Sequence, residues 1–228
     1  METQFSRNEI IIGKEKQNIL SSKTIAVFGV GGVGGYVVEA LARAGINNLI
    51  LIDNDTISIS NLNRQIIALH STIGNYKVDI MENRLHDINP EINITTYKTF
   101  IKDGNSKDIL TSQKIDYIID AIDTVSAKLE LIKLANDLNI PIISSMGTGN
   151  KLHPEKLEIT DINKTSVCPL AKKIRKELKL LNIKKLTVLY STEVPTKAIE
   201  TTTIGSISFV PSAAGLLIAS KIIEDFIS

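Results

Sequence analysis

Residues 27–35 read VFGVGGVGG, and five glycines fill the seven positions 29–35 directly after an apolar run. Glycine at that density does not belong inside a helix or a strand, so the stretch is a turn, and its flanks say which kind. Residues 24–29, TIAVFG, form the apolar run of a buried strand, and 33–46, VGGYVVEALARAGI, carry apolar residues at helical spacing up to Gly45 near the helix end. A strand, a glycine turn and a helix in that order make a β–α unit whose free helix amides face the turn.

The same alternation continues. Strands are expected at 48–53, 92–97, 116–122 and 141–146, and helices at 74–90, near 105–113 and at 125–140. The helix at 74–90 carries Val78, Met81, Leu85 and Ile88 on one face and is stopped by Asn89-Pro90. Strands that alternate with helices imply an α/β fold, a doubly wound, mostly parallel Rossmann-like sheet. Beyond residue 150 the pattern changes to strands at 156–162, 186–191 and 206–210, a basic helix at 170–181 and an apolar helix at 213–227. A further helix is expected over EIIIGKEKQNIL, ahead of the first strand. No linker rich in Pro, Gly or Ser divides the chain, so residues 1–228 are expected to form one domain. Its nucleotide-binding half is about 1–150, and an extended mixed C-terminal half is 151–228.

Composition narrows the setting. The longest late apolar stretch, AAGLLIA, is far short of the roughly 20 residues of a membrane span. The charged start, METQFSRNEIIIGKEKQ, does not read as a secretory signal. One cysteine rules out an intramolecular disulfide and a Cys₄ zinc site. The expected location is cytoplasmic. Net charge is +1, yet residues 172–185 alone hold seven Lys or Arg against one Glu, so a mildly acidic body carries one strongly basic segment.

Gly29, Gly31 and Gly34, with Gly32 between them, satisfy G-x-G-x-x-G between strand and helix. Asp53 closes the second strand 19 residues after Gly34, where an acid can accept hydrogen bonds from ribose hydroxyls. So far NAD and S-adenosylmethionine fit as well as any nucleotide. The residues just downstream discriminate. Asp55, Asn61, Arg64 and Gln65 lie past the ribose acid, and Lys77 begins the next helix. Two cations and amides beyond the ribose suit the β- and γ-phosphates of a nucleoside triphosphate. Asp120 and Asp123 close the next parallel strand, at the edge where ligands bind, and a carboxylate there can hold Mg²⁺ through the phosphates. There is no G-x-x-x-x-G-K-[ST], so a P-loop is excluded. A glycine loop on the α-phosphate, with cations drawing off the β- and γ-phosphates, favours attack at the α-phosphorus. That chemistry is adenylyl transfer.

With Gly29–Gly34, Asp53, SNLNRQ at 60–65, Lys77 and the acid of DAID in this order, the chain resembles the ubiquitin-activating-enzyme-like adenylyltransferases. The leading RNEIIIG at 7–13 also resembles that family. Within it, the chain most resembles the tRNA threonylcarbamoyladenosine dehydratases, through IDAIDTVSAKLELI, STE at 191–193 and GSISFVPSAAGLLIAS at 205–220. The resemblance implies ATP and Mg²⁺ as cofactors, with Arg64, Lys77 and Asp123 catalytic and Asp123 the metal ligand. It also implies a homodimer in which Arg7 reaches the neighbouring subunit's ATP. The implied substrate is a tRNA carrying threonylcarbamoyladenosine, and a sulfur-transfer protein is a further candidate partner. The zinc-binding cysteine pairs of many activating enzymes are missing, so no zinc is expected. Cys168, in VCPLAKK, is not carried over as a thioester-forming residue, because the implied dehydration needs no thiolate.

The basic helix sets Leu170, Ile174, Leu178 and Leu181 on one face and Lys172, Lys173, Arg175, Lys176 and Lys179 elsewhere. A solvated face is the ordinary reading. For a tRNA substrate, Lys172, Lys173, Arg175 and Lys176 become candidate phosphate contacts. His70, His86 and His153 show no metal-ligand spacing. Three rival functions stand beside the dehydratase: adenylation of a sulfur-carrier protein's C-terminus, NAD-dependent oxidation, and non-catalytic nucleotide-dependent regulation.

Overall fold

The computed structural model describes residues 2–101, 105–196 and 203–228. Five parallel strands form the body of the sheet: β1 (Thr24–Phe28), β2 (Asn48–Ile52), β3 (Asn93–Tyr97), β4 (Tyr117–Asp120) and β5 (Ile142–Ser145). Two more extend it, β6 (Leu157–Asp161) and β7 (Thr187–Ser191), in the order β3-β2-β1-β4-β5-β7-β6. Every neighbouring pair is parallel except β6 with β7. The chain winds outward from β1 to β3 and then crosses to β4, so strand order reverses between β1 and β4. A crevice opens there at the carboxyl ends of the strands.

Because strand side chains alternate, each central strand feeds two cores. Ile25 and Val27 of β1 and Leu49 and Leu51 of β2 pack into one core. Its helices are α2 (Lys14–Ser21), α3 (Gly34–Arg43), α4 (Lys77–Ile88) and α8 (Phe209–Ile227). Ala26, Phe28, Ile50 and Ile52 pack the other way, against α5 (Asn105–Thr111) and α6 (Val125–Asp137). A third cluster lies between α6, α7 (Pro169–Leu180) and β7, through Ile132, Ile174, Leu178 and Val188. Helix α8 lies directly on α3, the helix that follows the glycine turn. A Cβ at Gly215 would stand 2.5 Å from the Val33 carbonyl oxygen, so only glycine allows this approach.

Four expected elements differ. Residues 206–210 are not a strand: residues 204–207 have no regular structure, and α8 starts at Phe209 rather than 213. Pro211 is the third residue of α8, where its missing N–H would have no helical partner anyway. The N-terminal helix is two helices, α1 (Ser6–Ile12) and α2, broken at Gly13 with φ 82°. Leu181, expected on the buried face of the basic helix, caps α7 and is 42% exposed.

Candidate functional site

The glycine turn is shaped by close backbone contacts. Gly29 sits at φ 92°, and a Cβ on it would lie 2.6 Å from the Ala121 carbonyl oxygen. A Cβ on Gly34 would lie 1.8 Å from the Gly29 carbonyl oxygen. Neither position accepts another residue, so the N-terminus of α3 is drawn down against the ends of β1 and β4. Gly31 and Gly32 stay open to a cavity of about 350 Å³.

That cavity gathers the residues expected from the sequence. Gly29, Gly31, Gly32, Asp53, Asp55, Asn61, Arg64, Gln65, Lys77 and Asp123 all line it. Gly34 lies beneath, in the packing of the turn. Asp53 accepts from the Val30 amide at 2.7 Å and the Asp55 amide at 2.8 Å, which ties the end of β2 to the glycine turn. Burial pushes its carboxyl above the usual range, and the charge of Lys77 and those two amides offset only part of this. Such a carboxylate gains from further donors, and ribose hydroxyls are donors.

The segment between β2 and α4 supplies the cations. A short 3-10 helix, Ile59–Asn61, buries Asn61, whose Oδ1 accepts from the Ser58 amide at 3.0 Å. Arg64 follows, half-buried, its Nη1 donating to the Ser60 carbonyl and to Asn63 Oδ1, both at 2.9 Å. Gln65 is buried, and its Oε1 has no partner among the described residues. A buried acceptor of this kind marks a place where a ligand or water supplies the missing bond. Lys77 is also buried and donates to Asp55 Oδ2 at 2.6 Å. Both cations thus stand on the wall beyond Asp53.

The two acids after β4 part company. Asp123 is exposed at the cavity wall, with no ion pair among the described residues. Asp120, expected at the same ligand-binding edge, is instead fully buried. Its Oδ2 accepts from Lys128 Nζ at 3.0 Å, and Lys128 donates as well to Ser144 Oγ at 3.2 Å and to the Ser145 carbonyl at 2.7 Å. Asp120 Oδ1 accepts from the Ile122 amide at 3.2 Å, within the turn that presents Asp123. Among the described residues no three His, Cys, Asp or Glu converge as a metal cluster. A carboxylate without an ion pair among the described residues, at the wall of this cavity, has the chemistry to join water and phosphate oxygens around Mg²⁺.

Arg7 lies elsewhere. It is exposed on α1, whose Asn8 donates to the Arg43 carbonyl at 3.0 Å, while Gln4 donates to Asn89 Oδ1 at 2.9 Å. These contacts place α1 at the far ends of α3 and α4, opposite the strand edge that holds the cavity. Lys172, Lys173 and Lys176 are exposed on α7. Arg175 is turned inward: its Nη1 donates to the carbonyls of Ile162 and Thr165 and to Thr165 Oγ1, at 3.0, 3.1 and 2.7 Å. Cys168 is buried at the N-cap of α7.

Sequence reasoning did not anticipate a second cavity of about 490 Å³ that shares Arg64, Asp123, Thr148 and Ser206 with the first. Lys151 and Cys168 lie in its wall. Ser206 belongs to the run expected as a strand, and Thr148 and Lys151 lie in a loop without a motif, so no pattern pointed to them.

The sequence model of the ThiF family matches residues 5–226. The chain is 41% identical over 241 aligned positions to the tRNA threonylcarbamoyladenosine dehydratase of Bacillus subtilis, an alignment covering 98% of this chain and 94% of that one. It is also 31% identical to the molybdopterin-synthase adenylyltransferase of Haemophilus influenzae, over 63% of this chain and 59% of the other. Among solved structures, the E. coli tRNA N6-threonylcarbamoyladenosine dehydratase in complex with ATP superposes with a TM-score of 0.92. That match has 32% identity and covers 98% of this chain and 93% of that one. With the family model matched over residues 5–226 and a relative 41% identical over 98% of the chain, a chain with this glycine turn, half-buried Asp53 and two cations beyond it belongs to the ThiF family.

Proposed function

We propose that the chain is an ATP-dependent dehydratase of threonylcarbamoyladenosine in tRNA. The observation that carries this reading is the cavity that joins the Gly29–Gly34 turn and Asp53 to Arg64, Lys77 and Asp123, in a chain aligned almost throughout with relatives of that name. A carboxylate oxygen of the threonyl group attacks the α-phosphorus of ATP. The bond from that phosphorus to the bridging oxygen breaks, and pyrophosphate leaves with the electron pair. The carbamoyl group then attacks the activated carboxyl carbon, the ring closes, AMP leaves and one proton is released. The nucleoside ends one water lighter, its lost oxygen carried off in AMP.

The chain's own groups divide this work. Amides at the N-terminus of α3 face the α-phosphate, and Asp53 takes the ribose. Arg64 and Lys77 stabilise charge that builds on the departing pyrophosphate, fixed in place before the reaction by their bonds to Ser60 and Asp55. Asn61 and Gln65 add polar contacts along the same wall. Mg²⁺, when bound, neutralises phosphate charge, and Asp123 is the residue that would hold it. Lys172, Lys173 and Lys176 supply contacts to the tRNA backbone, with Arg175 supporting the loop before α7 from within. The expected setting is the cytoplasm, where tRNA and ATP are at hand; no described helix is long and apolar enough to cross a membrane.

Arg7 completes the site from a second subunit. It cannot serve the cavity of its own chain from the far end of α3, and its helix exposes Ile10 and Ile11 at 83% and 84%, an apolar face suited to a symmetric partner. Arg7→Ala and Asp123→Ala proteins should each be inactive, and mixing with subunit exchange should restore activity. No recovery after proven exchange removes the shared-site reading.

The direct test of function is incubation with ATP and tRNA carrying threonylcarbamoyladenosine, followed by nucleoside mass analysis. Loss of one water with release of AMP and pyrophosphate is expected. Adenylation of a sulfur-carrier protein with the tRNA untouched would hand the site to that rival, and tighter binding of NAD than of ATP would remove adenylation altogether.

A further inference from the structure

We propose that Lys151 is the residue that grips the substrate's carboxylate in the second cavity and turns it toward the nucleotide. This assignment rests on the dehydratase reading and names a binding residue within it.

Lys151 is only 4% exposed, yet among the described residues it has no carboxylate partner. Its Nζ donates to the backbone carbonyl of Glu193 at 2.6 Å, its one hydrogen bond among the described residues. The Glu193 carboxylate is hydrogen-bonded elsewhere: it accepts from the Leu152 amide at 3.0 Å and the His153 amide at 3.0 Å. An ammonium has three N–H groups, so two are left for a ligand. A buried cation without a direct ion pair among the described residues is costly, and burial pushes Lys151 below the usual lysine range, against the smaller pull of Cys168 and Glu193. An anion relieves that cost. Contrast Lys128, fully buried, whose three donors meet three acceptors, one of them a carboxylate. Lys128 is finished as a structural group; Lys151 is not.

The surroundings select the ligand. The backbone around Lys151 is held in place: the Asn150 amide donates to the Gly205 carbonyl at 2.8 Å, and Asn150 Oδ1 accepts from the Gly205 amide at 2.6 Å. The wall beside it is small or apolar, with Gly147, Gly149, Pro169, Leu170 and Ile204. That wall suits a short aliphatic acid better than a second phosphate. Through the shared Arg64, Asp123, Thr148 and Ser206, the cavity opens onto the nucleotide. An acid held by one oxygen on Lys151 keeps its other oxygen free to attack.

The probes are the nucleoside threonylcarbamoyladenosine and its carboxyl methyl ester, titrated into protein saturated with a non-hydrolysable ATP analogue. Wild-type protein should prefer the acid by about ten- to a hundredfold, the usual range for a hydrogen bond to a charged group. Lys151→Gln can still donate to the Glu193 carbonyl but has lost the charge. It should lose the preference, keep its ATP affinity, and raise KM for the modified tRNA about tenfold or more. Lys151→Arg should restore part of the preference. Lys151→Met, with the same readouts, replaces the Gln variant if that protein does not fold. Preference retained in a folded Gln or Met variant overturns the assignment. So does a wild-type protein that turns over the tRNA but does not distinguish acid from ester, and in that case the dehydratase reading stands. A wild-type protein that leaves the modified tRNA unchanged overturns both.

Discussion

Replacing Lys128 by Met removes the one cation in a fully buried cluster and leaves the rest of it behind. Lys128 and Asp120 are both 0% exposed. In the variant, the Asp120 carboxylate keeps only the Ser144 hydroxyl and the Ile122 amide as donors, while Ser145 loses the donor to its carbonyl. Breaking a buried pair from one side costs about 3–5 kcal/mol, because the remaining charge has no counterpart. At about 2–4 °C per kcal/mol for a chain of this size, the melting temperature should fall by about 6–20 °C. The companion Asp120→Asn removes the charge that the first substitution strands. The double variant should therefore be more stable than the sum of the two single effects predicts, by about 1–3 kcal/mol. Thermal melting followed by fluorescence, with urea unfolding as a second probe, reads all three proteins. A Lys128→Met protein that melts within about 2 °C of wild type, or strict additivity in the double variant, would refute the electrostatic account of this cluster. Turnover should fall further than stability alone requires, since Asp120 also holds the turn that presents Asp123.

Arg64→Ala should lower turnover by about 10²–10³ with little change in melting, the size expected for one preorganised donor on a leaving group; steady-state kinetics decides it. Replacing Lys172, Lys173 and Lys176 together by Ala should weaken tRNA binding and lower the slope of log affinity against log salt by about 0.7–0.9 for each phosphate no longer neutralised. An unaltered slope makes α7 a solvated face. Glu39 binds Arg84 at 2.6 Å and Arg43 at 2.8 Å and so links α4 to α3. Burial pushes its carboxyl up, but the two arginines outweigh this and hold it below its ordinary 4.5. An acid whose folded pKa is depressed adds stability above its unfolded value and loses it as pH falls through the folded one. Glu39→Gln should therefore melt below wild type at pH 6, with the gap closing as pH drops below about 4.5; a gap constant with pH contradicts the ion-pair account.

The central strands β1, β2 and β4 were legible because they are buried on both faces, and such strands read as unbroken apolar runs. The glycine turn, Asp53 and Asp123 were legible as one side of the first cavity because each follows a strand end, where spacing along the chain translates directly into position along one edge. Elsewhere local pattern was outvoted by packing. SISFV has the residues of a strand, but the Ser206 carbonyl is taken by the Asn63 side chain at 2.9 Å and the segment lines the cavity instead. Asp120 and Asp123 differ by three positions in one short run, and only the buried Lys128 on a separate helix tells the structural acid from the exposed one. Arg175 looks like its lysine neighbours in sequence, yet the loop carbonyls before α7 draw it inward. Lys151 had no motif at all, because its meaning comes from what is missing around it.

The packing of α8 on α3 also sets an order of assembly. Residues 24–43, which make the glycine turn and its helix, leave the ribosome long before residues 209–227. Until α8 emerges, Val37 and Leu41 lack the cover that Val210, Ala214 and Ile218 provide in the finished core. The glycine turn is thus among the first parts translated and among the last to be secured, a long-range closure of the kind that folds slowly and exposes apolar surface meanwhile. A fragment cut near residue 150 would contain the glycine turn, Asp53, Arg64 and Lys77, and would still lack the buttress that holds the turn in shape.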